Sequence, residues 1–115
     1  MELFIPGRVI PKARPRFDTR SGHAYMPRNY SEWLTMASET VTYTLRKPML
    51  DGPLQLRCAL SPDGVEVEVL PCSPITYKGR RGDLDNMIGS VADALQKGQA
   101  IRNDRDIVRL EGWFQ

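Results

Sequence analysis

The chain has 115 residues, of which 41% are hydrophobic. That length and composition suit one domain with a single modest core and exclude a chain that is disordered throughout. We therefore expect one domain over residues 1–115. Lys and Arg outnumber Asp and Glu by 16 to 14, and this net charge is too small to identify a partner. The distribution of the charges along the chain is more informative about function.

The N-terminal part predicts a strand followed by a basic arm. Residues 1–5 are apolar and end at a Pro-Gly pair, which is typical of a short strand and a turn. Residues 8–27 contain three prolines, which exclude a long helix and predict an extended arm on the surface. Lys12, Arg14 and Arg16 occupy alternate positions, so an extended chain would present them on one side.

A long helix is predicted after the arm. It begins near residues 29–31, where Asn and Ser favour an N-cap, and Glu32 is placed as a capping partner. Pro48 ends the pattern, because proline cannot continue a helix. Apolar residues recur at helical spacing between these limits, namely Trp33, Leu34, Ala37, Val41 and Leu45.

A β-hairpin is predicted in the middle of the chain. Residues 54–60 alternate in character, which predicts a strand whose buried face carries Leu54, Leu56, Cys58 and Leu60. Valines alternate with glutamates over residues 65–69, which predicts the partner strand. The turn between them is Ser-Pro-Asp-Gly, in which proline presets φ and glycine accepts a positive φ.

The C-terminal part predicts a second helix and a last strand. Apolar spacing over residues 84–95 is typical of an amphipathic helix, and Lys-Gly at 97–98 is typical of its end. Residues 107–114 predict a final strand with one face formed by Val108, Leu110 and Phe114. The element order favours an α+β fold, a small mixed sheet with a central hairpin, two main helices packed on it and a basic N-terminal arm.

Zinc chemistry and membrane insertion are not expected. Cys58 and Cys72 lack a CxxC spacing, and the single histidine, His23, has no neighbour at metal-ligand spacing. Two such cysteines are typical of reduced intracellular thiols. No apolar run reaches the roughly 18 residues of a membrane helix, and no signal-peptide core is present. The sequence therefore predicts a cytoplasmic protein without a membrane partner.

An acidic cluster at the start of the second helix is the main chemical signal. Asp83 and Asp85 stand two residues apart, Asn86 adds an oxygen donor, and Asp104 follows about one helix later. Carboxylates brought together repel each other unless a cation lies between them, and a hard cation such as Mg²⁺ prefers oxygen ligands. If the chain returns to the helix start, Asp104 would complete a metal site. Asp106 could be a fourth ligand, but it would point to the opposite face if the last strand has begun there.

Simpler interpretations of the same residues remain open. Asp83 stands at the expected N-cap and Asp85 in the first turn, where capping and the helix dipole favour aspartate without any metal. A basic loop precedes the acidic pair, and it suits either phosphate binding or plain exposure to solvent. Its cations are Lys78, Arg80 and Arg81. The basic arm has the same two interpretations.

Several runs of the sequence resemble the RusA family of Holliday junction resolvases. The most specific is RRGDLDN at residues 80–86, continued by ADAL at 92–95 and ND at 103–104. The N-terminal PG at 6–7 and KARPRF at 12–17 add to it. The resemblance covers most of the chain and implies one RusA-like endonuclease domain.

This resemblance implies a homodimeric α+β endonuclease of DNA recombination and repair. Such an enzyme binds four-way junctions and nicks two opposed strands by hydrolysis with Mg²⁺ or Mn²⁺. Asp83, Asp85 and Asp104 match the catalytic, metal-binding aspartates of the family, and Asn86 and Asp93 match positions of less defined role. The basic arm and loop are then expected to bind branched DNA through its phosphates.

One position departs from the family pattern. Members usually carry a lysine three residues after the asparagine, and this chain has Gly89 there. Such a lysine would lie on the face of Asp85 and hold a phosphate or stabilise the transition state. Two further hypotheses therefore stand beside the nuclease. One is a branched-DNA-binding protein that cleaves weakly or not at all, and the other is an interaction domain whose aspartates only cap helices.

Overall fold

The structure is a computed structural model that describes residues 1–44, 49–78 and 81–115. The described residues form two compact units, Met1–Ser73 and Pro74–Gln115. No helix in these ranges has the length and hydropathy needed to span a bilayer. The predicted end of the first helix, with Leu45 and Pro48, lies outside the described residues. That the whole chain acts as a single domain stays a prediction.

Eight elements follow each other within the described residues. The first unit contains β1 (Glu2–Pro6), β2 (Arg16–Phe17), β3 (Ala24–Tyr25), α1 (Arg28–Thr44), β4 (Leu54–Ser61) and β5 (Gly64–Pro71). The second contains α2 (Leu84–Lys97) and a 3₁₀ helix (Asp104–Asp106). Two helices and a small sheet confirm the α+β class.

The main sheet is antiparallel throughout the described residues, so the expectation of a mixed sheet is wrong. Its strand order is β1-β5-β4. The two-residue turn between β4 and β5 forces an antiparallel pair. β1 also runs antiparallel to β5, with Leu3 opposite Val67 and Ile5 opposite Val65. The last strand expected at the C-terminus does not join this sheet, since residues 107–114 form no strand.

The predicted hairpin is confirmed, together with its turn. Ser61 faces Gly64 across the ladder, so Pro62 and Asp63 alone make the connection. Gly64 has a φ of 156°, and a Cβ at this position would collide with the Ile5 carbonyl oxygen and the Phe4 ring. Glycine is therefore needed for the close approach of β1 to the start of β5.

The apolar face of β4 is formed as predicted but is not buried. Leu56 lies opposite Val69 and Leu60 opposite Val65, so the alternating residues share a face with the valines of β5. Nevertheless Leu56 is 65% exposed and Leu60 is 67% exposed. The expectation of burial is wrong because β4 is an edge strand, and within the described residues α1 packs on β1 and not on β4.

The core of the first unit lies between α1 and the β1–β5 pair. Ile5, Ala37 and Val65 are buried there, and Trp33 and Met36 pack against them. α1 begins at Arg28, close to the predicted start. Glu32 does not cap the helix as expected, since its carboxylate binds the Arg28 guanidinium at 2.7 Å. Packing of a second helix on this sheet stays a prediction.

The basic arm contains no helix, in agreement with its prolines, but it does contain an unexpected strand pair. Arg16 and Phe17 of β2 pair with Tyr25 and Ala24 of β3. The connecting turn includes Gly22 at a φ of 73°. The Asp-Thr-Arg-Ser-Gly run before β3 is the turn signal that a closer inspection of the sequence could have used.

The second unit consists of α2 and the chain that follows it. α2 ends at Lys97 as predicted, although the residue with a positive φ is Gln99 rather than Gly98. The predicted strand over residues 107–114 is wrong, because the described residues there form no ladder. Apolar alternation alone cannot make a strand without a partner for its backbone groups. Val108, expected to share a strand face with Leu110 and Phe114, is 95% exposed.

Candidate active site

The acidic pair lies at the start of α2, where sequence analysis expected it. Asp83 is the N-cap residue, with extended backbone angles of φ −68° and ψ 138°, and Asp85 stands in the first turn. Both are exposed, as is Asn86. In the described structure the Asp83 side chain makes no capping hydrogen bond, and only its carbonyl oxygen accepts a bond, from the Met87 N–H. The carboxylate is therefore not used by the helix.

Asp104 is not brought to this end of the helix. Its backbone N–H donates to the Gln96 side-chain oxygen at 2.9 Å. Gln96 is in the last turn of α2, roughly 16 Å along the helix axis from Asp85 at 1.5 Å per residue. Asp104 is also not a capping residue, since Asn103 caps the 3₁₀ helix by accepting a bond from the Arg105 N–H.

The chain does return to the start of α2, but with other residues. Gly112 packs so closely on α2 that a Cβ there would collide with Ile88 and lie 4.0 Å from Leu84. Phe114, two residues later, contacts the loop that precedes the helix. The prediction that Asp104 comes back to the acidic pair is therefore not met, because the chain reaches the helix start only at Gly112, about 15 residues after Lys97 and well beyond Asp104.

The donor set at the helix start fits a hard cation in chemical terms. Two carboxylates and an amide oxygen are ligands that Mg²⁺ accepts, and Mg²⁺ commonly uses only one or two protein carboxylates with water and phosphate at its other positions. Among residues 1–44, 49–78 and 81–115, no three His, Cys, Asp or Glu side chains are arranged to hold a metal ion. Asp83 and Asp85 can therefore supply part of the coordination shell of a divalent cation.

Position 89 is open, as expected for a glycine on an exposed helix face. A Cβ built on Gly89 meets nothing within 4 Å. Residues four apart are neighbours on a helix, so position 89 adjoins Asp85. Asp93 follows on the same row and is exposed. A longer side chain at position 89 would thus have room beside the acidic pair.

Arg81, the last cation of the basic loop, contacts an aromatic ring. The Arg81 guanidinium carbon lies 4.7 Å from the centre of the Phe114 ring, within the range of a cation–π interaction. The Tyr77 ring approaches Phe114 at 5.1 Å between centres and 60° between planes. Lys78 is exposed, and Arg80 lies outside the described residues.

The basic arm belongs to the first unit and keeps its cations exposed. Lys12, Arg14 and Arg16 are exposed, and none of them forms an ion pair with a carboxylate in the described ranges. The one acid among them is engaged locally, since the Arg20 N–H donates to Asp18 at 2.8 Å and lowers the pKa of that carboxyl. The arm therefore presents positive charge that is not neutralised within the described chain.

Sequence analysis did not identify two residues that organise this region. Phe114 was assigned to a strand, and its contact with Arg81 depends on the return of the chain over α2. Gln96 anchors Asp104 through its side chain, although a glutamine in the last turn of a helix is an ordinary surface residue. Neither contact has a local sequence signal.

Comparisons with known proteins identify the family. Searches of curated proteins and of solved structures gave no significant match. By contrast, residues 6–114 match the family described as endodeoxyribonuclease RusA, which is essentially the whole chain. The family consists of Holliday junction resolvases, which are nucleases that bind branched DNA. The chain therefore belongs to the endodeoxyribonuclease RusA family.

Proposed function

We propose that this protein is a structure-selective endonuclease that resolves four-way DNA junctions. It would hydrolyse one phosphodiester in each of two opposed strands and leave 5′ phosphates. The observation that carries the proposal is the state of Asp83, an exposed carboxylate beside Asp85 that makes no capping bond in the described structure. An acid used only as a cap would direct its oxygen to the helix N–H groups. Support for the interaction-domain hypothesis is thereby reduced.

Asp83 and Asp85 are proposed to hold a divalent cation, Mg²⁺ or Mn²⁺, with Asn86 as a further oxygen donor. The chemistry that such an ion supplies when bound is a lower pKa for the attacking water and charge stabilisation at the phosphate. The scissile phosphate would be held by the cation and by basic residues nearby, whereas the carboxylates would hold the cation and accept hydrogen bonds from the attacking water. Their exposure means that DNA can reach them without a change in the helix.

Asp104 is proposed as the third ligand on the strength of the family likeness. Its participation requires the connection after α2 to release the contact between the Asp104 N–H and Gln96. That contact is a single exposed hydrogen bond, whose net contribution is about 1 kcal/mol. The movement would also break the turn after α2, in which the Ala100 and Ile101 N–H groups donate to the Leu95 carbonyl oxygen, so coordination of the cation would have to offset more than this one bond.

The proposed DNA contacts are the cations of the arm and of the loop. They are Lys12, Arg14, Arg16, Lys78, Arg80 and Arg81. We propose a homodimer, since a two-fold pair of active sites matches a two-fold junction. The position of β4 at the edge of the described sheet supports this, because an edge strand can pair with its own copy across a two-fold axis. A cytoplasmic location stays a prediction.

A mobile synthetic four-way junction, compared with a linear duplex of the same sequence, tests the proposed function. We expect paired, symmetric nicks in the junction and none in the duplex, with Mg²⁺ or Mn²⁺ present. Chelation of the cation is expected to abolish the nicks and to leave junction binding in place. Equal cutting of junction and duplex would contradict the proposed selectivity.

A second candidate is a branched-DNA-binding protein that cleaves weakly. The open surface at Gly89, where the family usually has a lysine, favours it. Both candidates predict tight junction binding, and they differ in turnover. Tight binding of the junction with no nicks in either metal would therefore favour the DNA-binding function over the nuclease function.

A further inference from the structure

The acidic pair lacks the cation that a side chain at position 89 would provide. Gly89 leaves that part of the helix surface open. Among the described residues of the second unit, Arg81 is the basic residue closest in sequence to Asp83, only two positions before it. A phosphate held against two carboxylates needs positive charge nearby, since the three groups repel each other.

Arg81 contacts the ring of Phe114. The guanidinium carbon lies over the ring at 4.7 Å from its centre, and the Tyr77 ring approaches Phe114 at 5.1 Å between centres. Phe114 itself is half-buried, while Arg81 is exposed. The close packing of Gly112 on Ile88 brings this aromatic residue to the start of α2.

The contact with Phe114 leaves hydrogen-bonding groups of Arg81 available. A guanidinium carries five N–H donors, and the Arg81 side chain is exposed. In the part of the chain that the structure describes, no carboxylate pairs with Arg81. An arginine that already contacts a ring has less rotamer freedom to lose when a ligand arrives, which favours binding.

We propose that Phe114 is a positioning residue, and that it holds Arg81 to bind the phosphate next to the scissile bond in place of the side chain missing at position 89. This proposal rests on the proposed function and assigns the C-terminal aromatic residue to the same site. Arg81 contacts the substrate, and Phe114 acts only through Arg81.

Variants of the full chain test this, with junction affinity measured in chelator so that no cleavage intervenes. We expect Arg81→Ala to weaken binding about 10- to 100-fold, the range for charge-assisted hydrogen bonds. Its salt dependence should fall by about 0.9 in slope, which corresponds to one phosphate contact. Phe114→Leu keeps apolar bulk without a ring face and should weaken binding to a similar extent. Phe114→Tyr keeps the ring and should bind like the wild type.

The combined variant separates positioning from a purely structural role. Arg81→Ala together with Phe114→Leu should bind no worse than Arg81→Ala alone, because both remove the same contact. Additive losses would overturn the proposal, and so would wild-type affinity for Phe114→Leu with an unchanged unfolding temperature. Arg109→Ala removes an exposed arginine that pairs with Glu111 in the same unit and serves as the charge control. A wild-type protein that does not bind the junction would overturn both proposals, whereas a wild type that binds the junction without nicking it would overturn the nuclease function alone.

Discussion

Asp85→Asn is expected to abolish junction cleavage and to leave junction binding nearly unchanged. The substitution keeps the shape of the side chain and removes the charge that would hold the cation. Loss of several kcal/mol of transition-state stabilisation corresponds to a rate lower by about 10³-fold or more. Binding in chelator should change by less than about threefold, because phosphate contacts to other residues dominate affinity.

Asp63→Asn is a matched control for that experiment. Asp63 is an exposed carboxylate in the β4–β5 turn, outside the proposed site, so its replacement should leave the cleavage rate unaltered. The double variant at Asp83 and Asp85 should be scarcely slower than either single variant, since residues that act as one unit do not contribute additively. Cleavage by Asp85→Asn at the wild-type rate would show that the acidic pair is not the catalytic centre.

Gly89→Lys is expected to raise the cleavage rate about 10- to 100-fold, the scale on which one preorganised charge stabilises a transition state. The helix surface at position 89 has room for the side chain. Replacement of a helical glycine should also stabilise the fold by about 0.5–1 kcal/mol. The rate is measured in single turnover on the four-way junction, and the stability by thermal unfolding.

Gly89→Ala separates the two effects of this substitution. It should raise the unfolding temperature in the same way as lysine but leave the cleavage rate at the wild-type value. An increase in rate for alanine as large as that for lysine would assign the gain to helix stability rather than charge. Weaker junction binding by both variants would contradict the expectation that position 89 has room for a side chain. It would mean that the DNA approaches the glycine backbone closely.

The parts of the fold that depend on local chemistry were predicted correctly. The β4–β5 hairpin follows from alternation and a Pro-Asp-Gly turn, and both helices follow from apolar spacing. The position of Asp83 and Asp85 at a helix start also follows from neighbouring residues. In each case the determining interactions connect residues that are close in sequence.

The features that depend on distant packing were not predicted. Whether Leu56 is buried depends on what covers an edge strand. The alternation of apolar and polar residues along β4 predicts a strand but does not predict what packs against it. Asp104 was expected beside Asp85, but an exposed contact with Gln96 holds it at the other end of α2. Phe114 reaches Arg81 because Gly112 lets the chain pack closely on the helix. A glycine in the sequence does not reveal which element its backbone will pack against.

Mn²⁺ titration followed by electron paramagnetic resonance tests the proposed cation site most directly. Wild-type protein, Asp85→Asn and the Asp63→Asn control are compared, each alone and with a four-way junction. We expect the wild type and the control to bind Mn²⁺ equally, more tightly with the junction present, and Asp85→Asn to lose that binding. Identical Mn²⁺ binding by all three proteins, or none by the wild type even with DNA, would contradict a metal centre at the start of α2.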